Sequence, residues 1–316
     1  MFLDCSEATI RLEIKPLAQD QPQISDDKMI YAMTEVFHKL YKWCIHTNLG
    51  YEKRAKHDIL VPKELYHEAY SRIKTKYAET IISQWTEKTD VTKFVFEDIA
   101  IASYLISLWQ LEREQTGSQR LQTFVDLGCG NGLLTYLLVS EGHQGTGIDL
   151  AKRKIWDVLC HGREESFLIG ISSFAQSLHP PSEVYPNVDW LIGNHADELV
   201  PWIPIIAART ESRFLVIPCC YFQLDGSRHK GLSGLGGGKY REYTEYVKGI
   251  AISCGYTITE DHLRIPSTRN IALVGQHRNV QAAIEPIIKH VGPFVARVSD
   301  RELEQQRRRK VAEKGK

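Results

Sequence analysis

The sequence predicts an α/β fold in which a mostly parallel sheet carries helices on both faces, preceded by a helical N-terminal region. Three observations predict it. From Gln122 onward short apolar runs, TFVDLG, GTGID, VDWLIG, RFLVIP, YTIT and IALVG, alternate with helical stretches, as βαβ units do. Before Gln122 the apolar residues recur at helical spacing instead. Between the first two runs, FVDLGCGNGLL joins a strand to a helix through three glycines, Gly128, Gly130 and Gly132. The expected organisation is a helical region over residues 1–115, an α/β domain over 116–280, and a C-terminal helix with a basic tail over 281–316.

Taken in order, residues 27–48 place Ile30, Met33, Val36, Phe37, Leu40 and Tyr41 on one helical face. A second helix should start at Pro62, whose fixed φ suits a first helical position, and run to Trp85. A third, Phe96 to Glu114, opens on Glu97 and Asp98, acids that favour the positive end of a helix dipole. Between Gly162 and Pro186 no third strand is clearly legible. The closing RELEQQRRRKVAEKGK is polar and basic, a frayed helix or tail.

Composition narrows the function classes. With 316 residues, 43% of them hydrophobic, the chain can bury a substantial core. Acids interrupt the first residues where a signal peptide would be apolar, and no run approaches the roughly 18 apolar residues of a membrane span. A cytoplasmic protein with no membrane partner is expected. The seven cysteines include no CxxC pair, so neither a disulfide framework nor a metal site is expected. Net charge is zero, but basic residues cluster locally, at Lys152, Arg153 and Lys154, and at Arg228, Lys230 and Lys239.

The glycine loop is informative through what it lacks. A dinucleotide site reads G-x-G-x-x-G, and that third glycine position is Leu133 here. Asp126, two residues before Gly128, would repel a pyrophosphate but attract a cation. S-adenosyl-L-methionine carries an ammonium and a sulfonium and no phosphate, and Gly128, Gly130 and Gly132 allow backbone to approach it. Asp149, closing the second strand, can accept hydrogen bonds from both ribose hydroxyls. These features point to a Rossmann-like class I S-adenosylmethionine-dependent methyltransferase fold. A degenerate nucleotide site and an inactive relic are the alternatives.

Ligands of such sheets bind outside the carboxyl ends of the strands. That rule selects Asn194, His195, Asp197 and Glu198 after VDWLIG, and Cys219, Cys220, Tyr221 and Phe222 after RFLVIP, as the acceptor side. Asn194 or Asp197 could instead cap a helix. Asp189 enters its strand at the far edge and reads as structural. GLGGGKY fails the phosphate-loop pattern at Ser233 and Tyr240 and reads as a basic loop before a helix. Cys219 and Cys220, with no partner cysteine nearby, read as packing at a buried strand end.

Six blocks, WTEKTDVTKFVFEDIAIASYLI, FVDLGCGNGLL, GTGIDLAKRKIWD, VDWLIGNHADELVPWIPIIAAR, FLVIPCCYF and LRIPSTRNIALVG, resemble the eukaryotic tRNA (uracil-2'-O)-methyltransferases. Members of that family modify a uridine beside the variable arm of serine tRNA. The resemblance spans about Leu60 to Gly275. It implies a cofactor site at Asp126, Gly128, Gly130, Gly132 and Asp149, an acceptor side at Asn194 to Glu198 and Cys219 to Phe222, and tRNA as partner. The reaction needs one proton removed from a ribose hydroxyl, a task for which His195 or Asp197 is the candidate, the other orienting it. A methyltransferase acting on a protein or small molecule, and a non-catalytic cofactor-binding subunit, are the other functions the residues allow.

Overall fold

The computed structural model describes residues 2–4, 9–11, 27–48, 56–161, 168–171, 184–229 and 238–293, in two units that divide after Ala55. In the first unit, β1 (Phe2–Asp4) and β2 (Thr9–Arg11) pair antiparallel, with Leu3 opposite Ile10. Periodicity does not reveal this pair because each strand is only 3 residues long. The helix α1 (Asp27–Asn48) matches its expected span. Of its expected apolar face, Met33, Phe37 and Leu40 are half-buried, whereas Ile30, Val36 and Tyr41 are exposed.

The second unit opens with α2 (Lys63–Ser83) and α3 (Val91–Thr116). Pro62 is the N-cap of α2 rather than its first helical residue. The start of α3 also differs from expectation. The Asp90 side chain accepts the Lys93 backbone N–H at 3.2 Å and starts the helix several residues before Phe96. Gly117, at φ +69°, ends it. Glu97 and Asp98 therefore do not serve the helix dipole. They sit past the first turn, and both are buried. Little of α3 around them faces water, because α2, α4 (Leu133–Ser140) and the sheet surround it.

The sheet has seven strands: β3 (Thr123–Leu127), β4 (Gln144–Asp149), β5 (Leu168–Ile171), β6 (Trp190–Asn194), β7 (Arg213–Ile217), β8 (Tyr256–His262) and β9 (Ile271–Arg278). Their spatial order is β5-β4-β3-β6-β7-β9-β8. The first five are parallel, and β9 runs antiparallel to both β7 and β8. This is the topology of class I S-adenosylmethionine-dependent methyltransferases. The strand that the sequence does not clearly show is β5, whose four residues pair with Thr146–Asp149. It is short and interrupted by Gly170, so its pairing defines it rather than its composition.

Side chains alternate across the sheet. Phe124, Trp190, Ile192, Leu215 and Val274 join a core with α2, α3, α4 and α5 (Ile155–Leu159). Val125, Leu191, Phe214, Val216 and Leu273 join a second core with α6 (Ile203–Thr210) and α7 (Gly238–Ser253). The short α8 (Glu285–Lys289) follows β9. A three-layer fold results, in which both sheet faces are covered. Connections from β3 proceed outward one way through β4 and β5, and from β6 the other way, so the crevice lies where β3 and β6 adjoin. Among the described residues no helix is long and apolar enough to cross a membrane. The basic tail, Lys230 and the GLSGLGG loop lie outside the described residues.

Candidate active site

The carboxyl end of β3 turns through Gly128–Gly132 into α4. Gly128 has φ +74°, and a Cβ there would stand 3.0 Å from the Ala196 Cβ, so both conformation and space demand glycine. Gly132, at φ +75°, is the N-cap of α4, and the Asn131 side chain accepts the Leu133 N–H at 2.7 Å in place of a capping residue. The loop is tied to β4. Asp149 accepts the Gly130 N–H at 2.9 Å on one oxygen and the Ala151 N–H at 3.2 Å on the other. Trp156 donates its indole N–H to the Gly130 carbonyl at 3.0 Å.

Beneath the loop Asp126 is 1% exposed and accepts the Thr135 hydroxyl at 2.8 Å. Burial raises its pKa to about 7, opposed by that hydrogen bond. Its other carboxylate oxygen has no partner among the described residues. Asp126 itself does not line the cleft, which is bounded by Gly128, Gly130, Asp149 and Arg153 on one side and His195 to Leu199 on the other. That cleft encloses about 280 Å³.

The opposite wall follows β6. His195, at φ +54°, and Asp197, at φ +44°, are both in the left-handed region, which non-glycine residues seldom occupy. Neither Asn194 nor Asp197 caps a helix. Ala196 precedes the 3-10 turn Asp197–Leu199, and Trp202 precedes α6. The strained backbone instead holds side chains toward the cleft and toward α3.

From α3 come two residues that sequence reasoning missed. Glu97 Oε1 lies 3.1 Å from His195 Nε2, and Asp98 bridges two asparagines, accepting from Asn131 at 3.2 Å and from Asn194 at 3.3 Å. Burial raises the Asp98 pKa to about 7, against the Asn131 hydrogen bond. Burial alone would lower the His195 pKa, but the neighbouring Cys219 and Glu97 outweigh it and hold it up at about 9. The available signal was a pair of adjacent acids within an otherwise apolar helix, where an unpaired charge would be costly to bury.

Past β7, Cys219 is buried and Cys220 half-buried, and neither thiol belongs to the two apolar cores that enclose Cys129 and Cys254. Simple packing is therefore not their setting. The Cys219 thiol lies 3.8 Å from an Asp197 carboxylate oxygen. Ligand atoms of Asp197, Cys219 and Cys220 fall within 4.8 Å of one another, close enough for one divalent cation to reach all three. Phe222 is 2% exposed and Tyr221 half-buried, so of this pair Tyr221 has the more accessible ring. Asp189 is structural, accepting Thr123 N–H at 2.8 Å and both guanidinium nitrogens of Arg120 at 2.8 Å.

A family model described as "Predicted AdoMet-dependent methyltransferase" matches residues 60–168. Over 255 residues the chain is 43% identical to a Homo sapiens protein named "Probable tRNA (uracil-O(2)-)-methyltransferase", covering 79% of this chain and 32% of that protein. It is 39% identical over 254 residues to the tRNA (uracil-O(2)-)-methyltransferase of Neurospora crassa, covering 72% and 50% of the two chains. The counterpart from Schizosaccharomyces pombe is 37% identical over 265 residues, covering 75% and 52%. Over most of its own length the chain is similar to these named methyltransferases. It spans about a third of the length of its human relative and about half that of the fungal ones. The matched residues 60–168 include β3, its glycine loop and β4.

Proposed function

We propose that the chain transfers a methyl group from S-adenosylmethionine to the ribose 2'-hydroxyl of a uridine in tRNA, serine tRNA being the first species to test. One observation carries the reading. The glycine loop with Asp149, and the His195–Asp197 segment, line a single cleft at the switch point of the sheet.

The residues on the donor side fit the cofactor. Gly128 leaves no room for a side chain between the loop and Ala196, and Asp126 keeps one buried oxygen without a partner. Gly128, Gly130 and Gly132 would cradle the methionine part, Asp126 would favour its positive charge, and Asp149 would accept from the ribose hydroxyls. Bound there, S-adenosylmethionine supplies an electrophilic methyl on a sulfonium centre. No metal is required in this scheme.

On the acceptor side the protein must align a hydroxyl and receive its proton. Alignment alone is worth up to about 7 to 11 kcal/mol in well-oriented systems. Asn194, fixed by Asp98, and His195, fixed by Glu97, would orient the ribose. With its pKa held up at about 9 by the neighbouring Cys219 and Glu97, His195 would act as a donor. The proton then falls to Asp197, the carboxylate nearest in sequence that lines the cleft.

The test is direct. The purified chain is incubated with S-adenosylmethionine and unmodified tRNA, and the nucleosides are analysed by mass spectrometry for 2'-O-methyluridine. Appearance of that nucleoside in serine tRNA supports the proposal. Methyl transfer to protein or to a small metabolite, with none to tRNA, overturns it.

A further inference from the structure

Several cations of the second unit's surface pair with a carboxylate. Arg72 and Lys76 pair with Glu141, Arg120 with Asp189, Arg213 with Glu112, Arg241 and Lys248 with Glu260, Arg264 with Asp58, and Lys152 with Asp157. Three others, from separate elements, are brought together on two adjacent rings. Arg228 follows β7, Lys239 begins α7, and Arg269 lies in the turn between β8 and β9. None of them forms an ion pair with a described residue.

They converge on the aromatic residues at the carboxyl end of β7. The Lys239 ammonium lies 4.9 Å from the centre of the Tyr221 ring and the Arg269 guanidinium 5.3 Å from it. Arg228 stands 4.1 Å over Phe222. The scaffold is firm. Tyr221 packs edge-on against fully buried Tyr243, Phe222 and Arg228 form a β-bridge, and His229 donates its N–H to the Tyr221 carbonyl at 2.7 Å. Arg269 also donates to the Cys219 carbonyl at 2.5 Å, which anchors it one residue from Cys220 and adjacent to the acceptor side.

A cation resting on a ring gains less than one hydrogen-bonded to a phosphate oxygen, so an arriving phosphodiester would recruit these groups from the rings. The gain is larger here because no carboxylate has to be displaced first. We infer that Arg228, Lys239 and Arg269, gathered around Tyr221 and Phe222, form a phosphodiester subsite for the RNA strand flanking the acceptor nucleotide. This rests on the proposed reaction only in taking RNA as the substrate class. It assigns the strand's path to the β7 side of the crevice and away from Lys152, whose charge Asp157 already balances.

The experiment measures fluorescence anisotropy of labelled hexauridylate with the full chain, in salt from about 50 to 300 mM, beside calorimetry of S-adenosylmethionine. For single strands each lost phosphate contact lowers the slope of log affinity against log salt by about 0.7. Arg228→Gln, Lys239→Gln and Arg269→Gln should each do so, and the triple variant should lose about three such steps, while cofactor affinity is unchanged. Arg269→Lys, which keeps the charge, should retain the slope, and Lys74→Gln on α2 should behave as wild type. RNA binding with an unaltered slope in the triple variant overturns the subsite and leaves the methyl-transfer proposal standing. Displacement of RNA by inorganic phosphate beyond the effect of chloride at equal ionic strength marks a free-anion site and overturns it too. Absence of hexauridylate binding by the wild-type chain overturns the subsite, while the nucleoside analysis of tRNA decides the reaction separately.

Discussion

Glu97 on α3 and His195 after β6, 98 positions apart in sequence, meet at 3.1 Å between Oε1 and Nε2. The carboxylate is buried, its side chain only 8% exposed, and the imidazole is its one ion-pair partner among the described residues. Removing one member would leave the charge of the other without its partner in a largely buried setting, which is costly.

Glu97→Gln tests that role. If Glu97 positions His195 for the acceptor, kcat should fall roughly tenfold or more while the KM for S-adenosylmethionine stays near wild type. The glutamine keeps the shape and a hydrogen-bonding oxygen. A purely structural residue would instead lower the fraction folded and leave kcat per folded molecule unchanged, so steady-state kinetics paired with a thermal melt decides between the two.

Asp197→Asn should reduce turnover by roughly a hundredfold, the size of a general-base contribution. Asparagine is the right replacement because it tolerates the left-handed backbone at φ +44° better than alanine would. The side chain caps no helix, so little stability should be lost. Wild-type turnover in this variant would mean that the proton leaves by another route.

Asp149→Ala should weaken S-adenosylmethionine by roughly 1.5 to 3 kcal/mol, as expected for hydrogen bonds to a charged group. Part of that loss is indirect, since the Gly130 N–H also loses its acceptor and the loop its tie to β4. Calorimetry against wild type measures it, and equal affinities would remove Asp149 from the cofactor site.

Stability should depend on pH through Asp98 and Asp126. Burial raises both to about 7 from the ordinary 3.8, so between those values the native state holds more protons than the unfolded chain. The stabilisation is therefore full below about pH 4 and is lost as pH rises toward and through 7. Each group contributes a slope of at most about 1.4 kcal/mol per pH unit. Urea unfolding between about pH 5 and 8 should show the decline, and Asp126→Asn should flatten it. An identical slope in that variant would assign the dependence to other groups.

Much of this protein is determined by local sequence. The alternation of apolar runs with helices, the glycines of the β3 loop, and the acid closing β4 specify an α/β crevice and its glycine-loop wall, because each depends on neighbours within one βαβ unit. The span of α1 and the structural part played by Asp189 are legible on the same terms. Other features were decided only when distant segments met. The strand β5 exists through its pairing with Thr146–Asp149, not through its own four residues. Glu97 and Asp98 look like acids at a helix start until Asp90 is seen to begin the helix earlier and rotate them under Asn194 and His195. Cys219 and Cys220 look like strand packing until Asp197 is found beside them, and Arg228, Lys239 and Arg269 look like scattered surface charge until three elements fold them around Tyr221 and Phe222. The physical reason is common to all of these. Backbone conformation and apolar periodicity are properties of adjacent residues, whereas the charge state, burial and partner of a polar side chain are set by whatever the tertiary fold brings within a few ångströms.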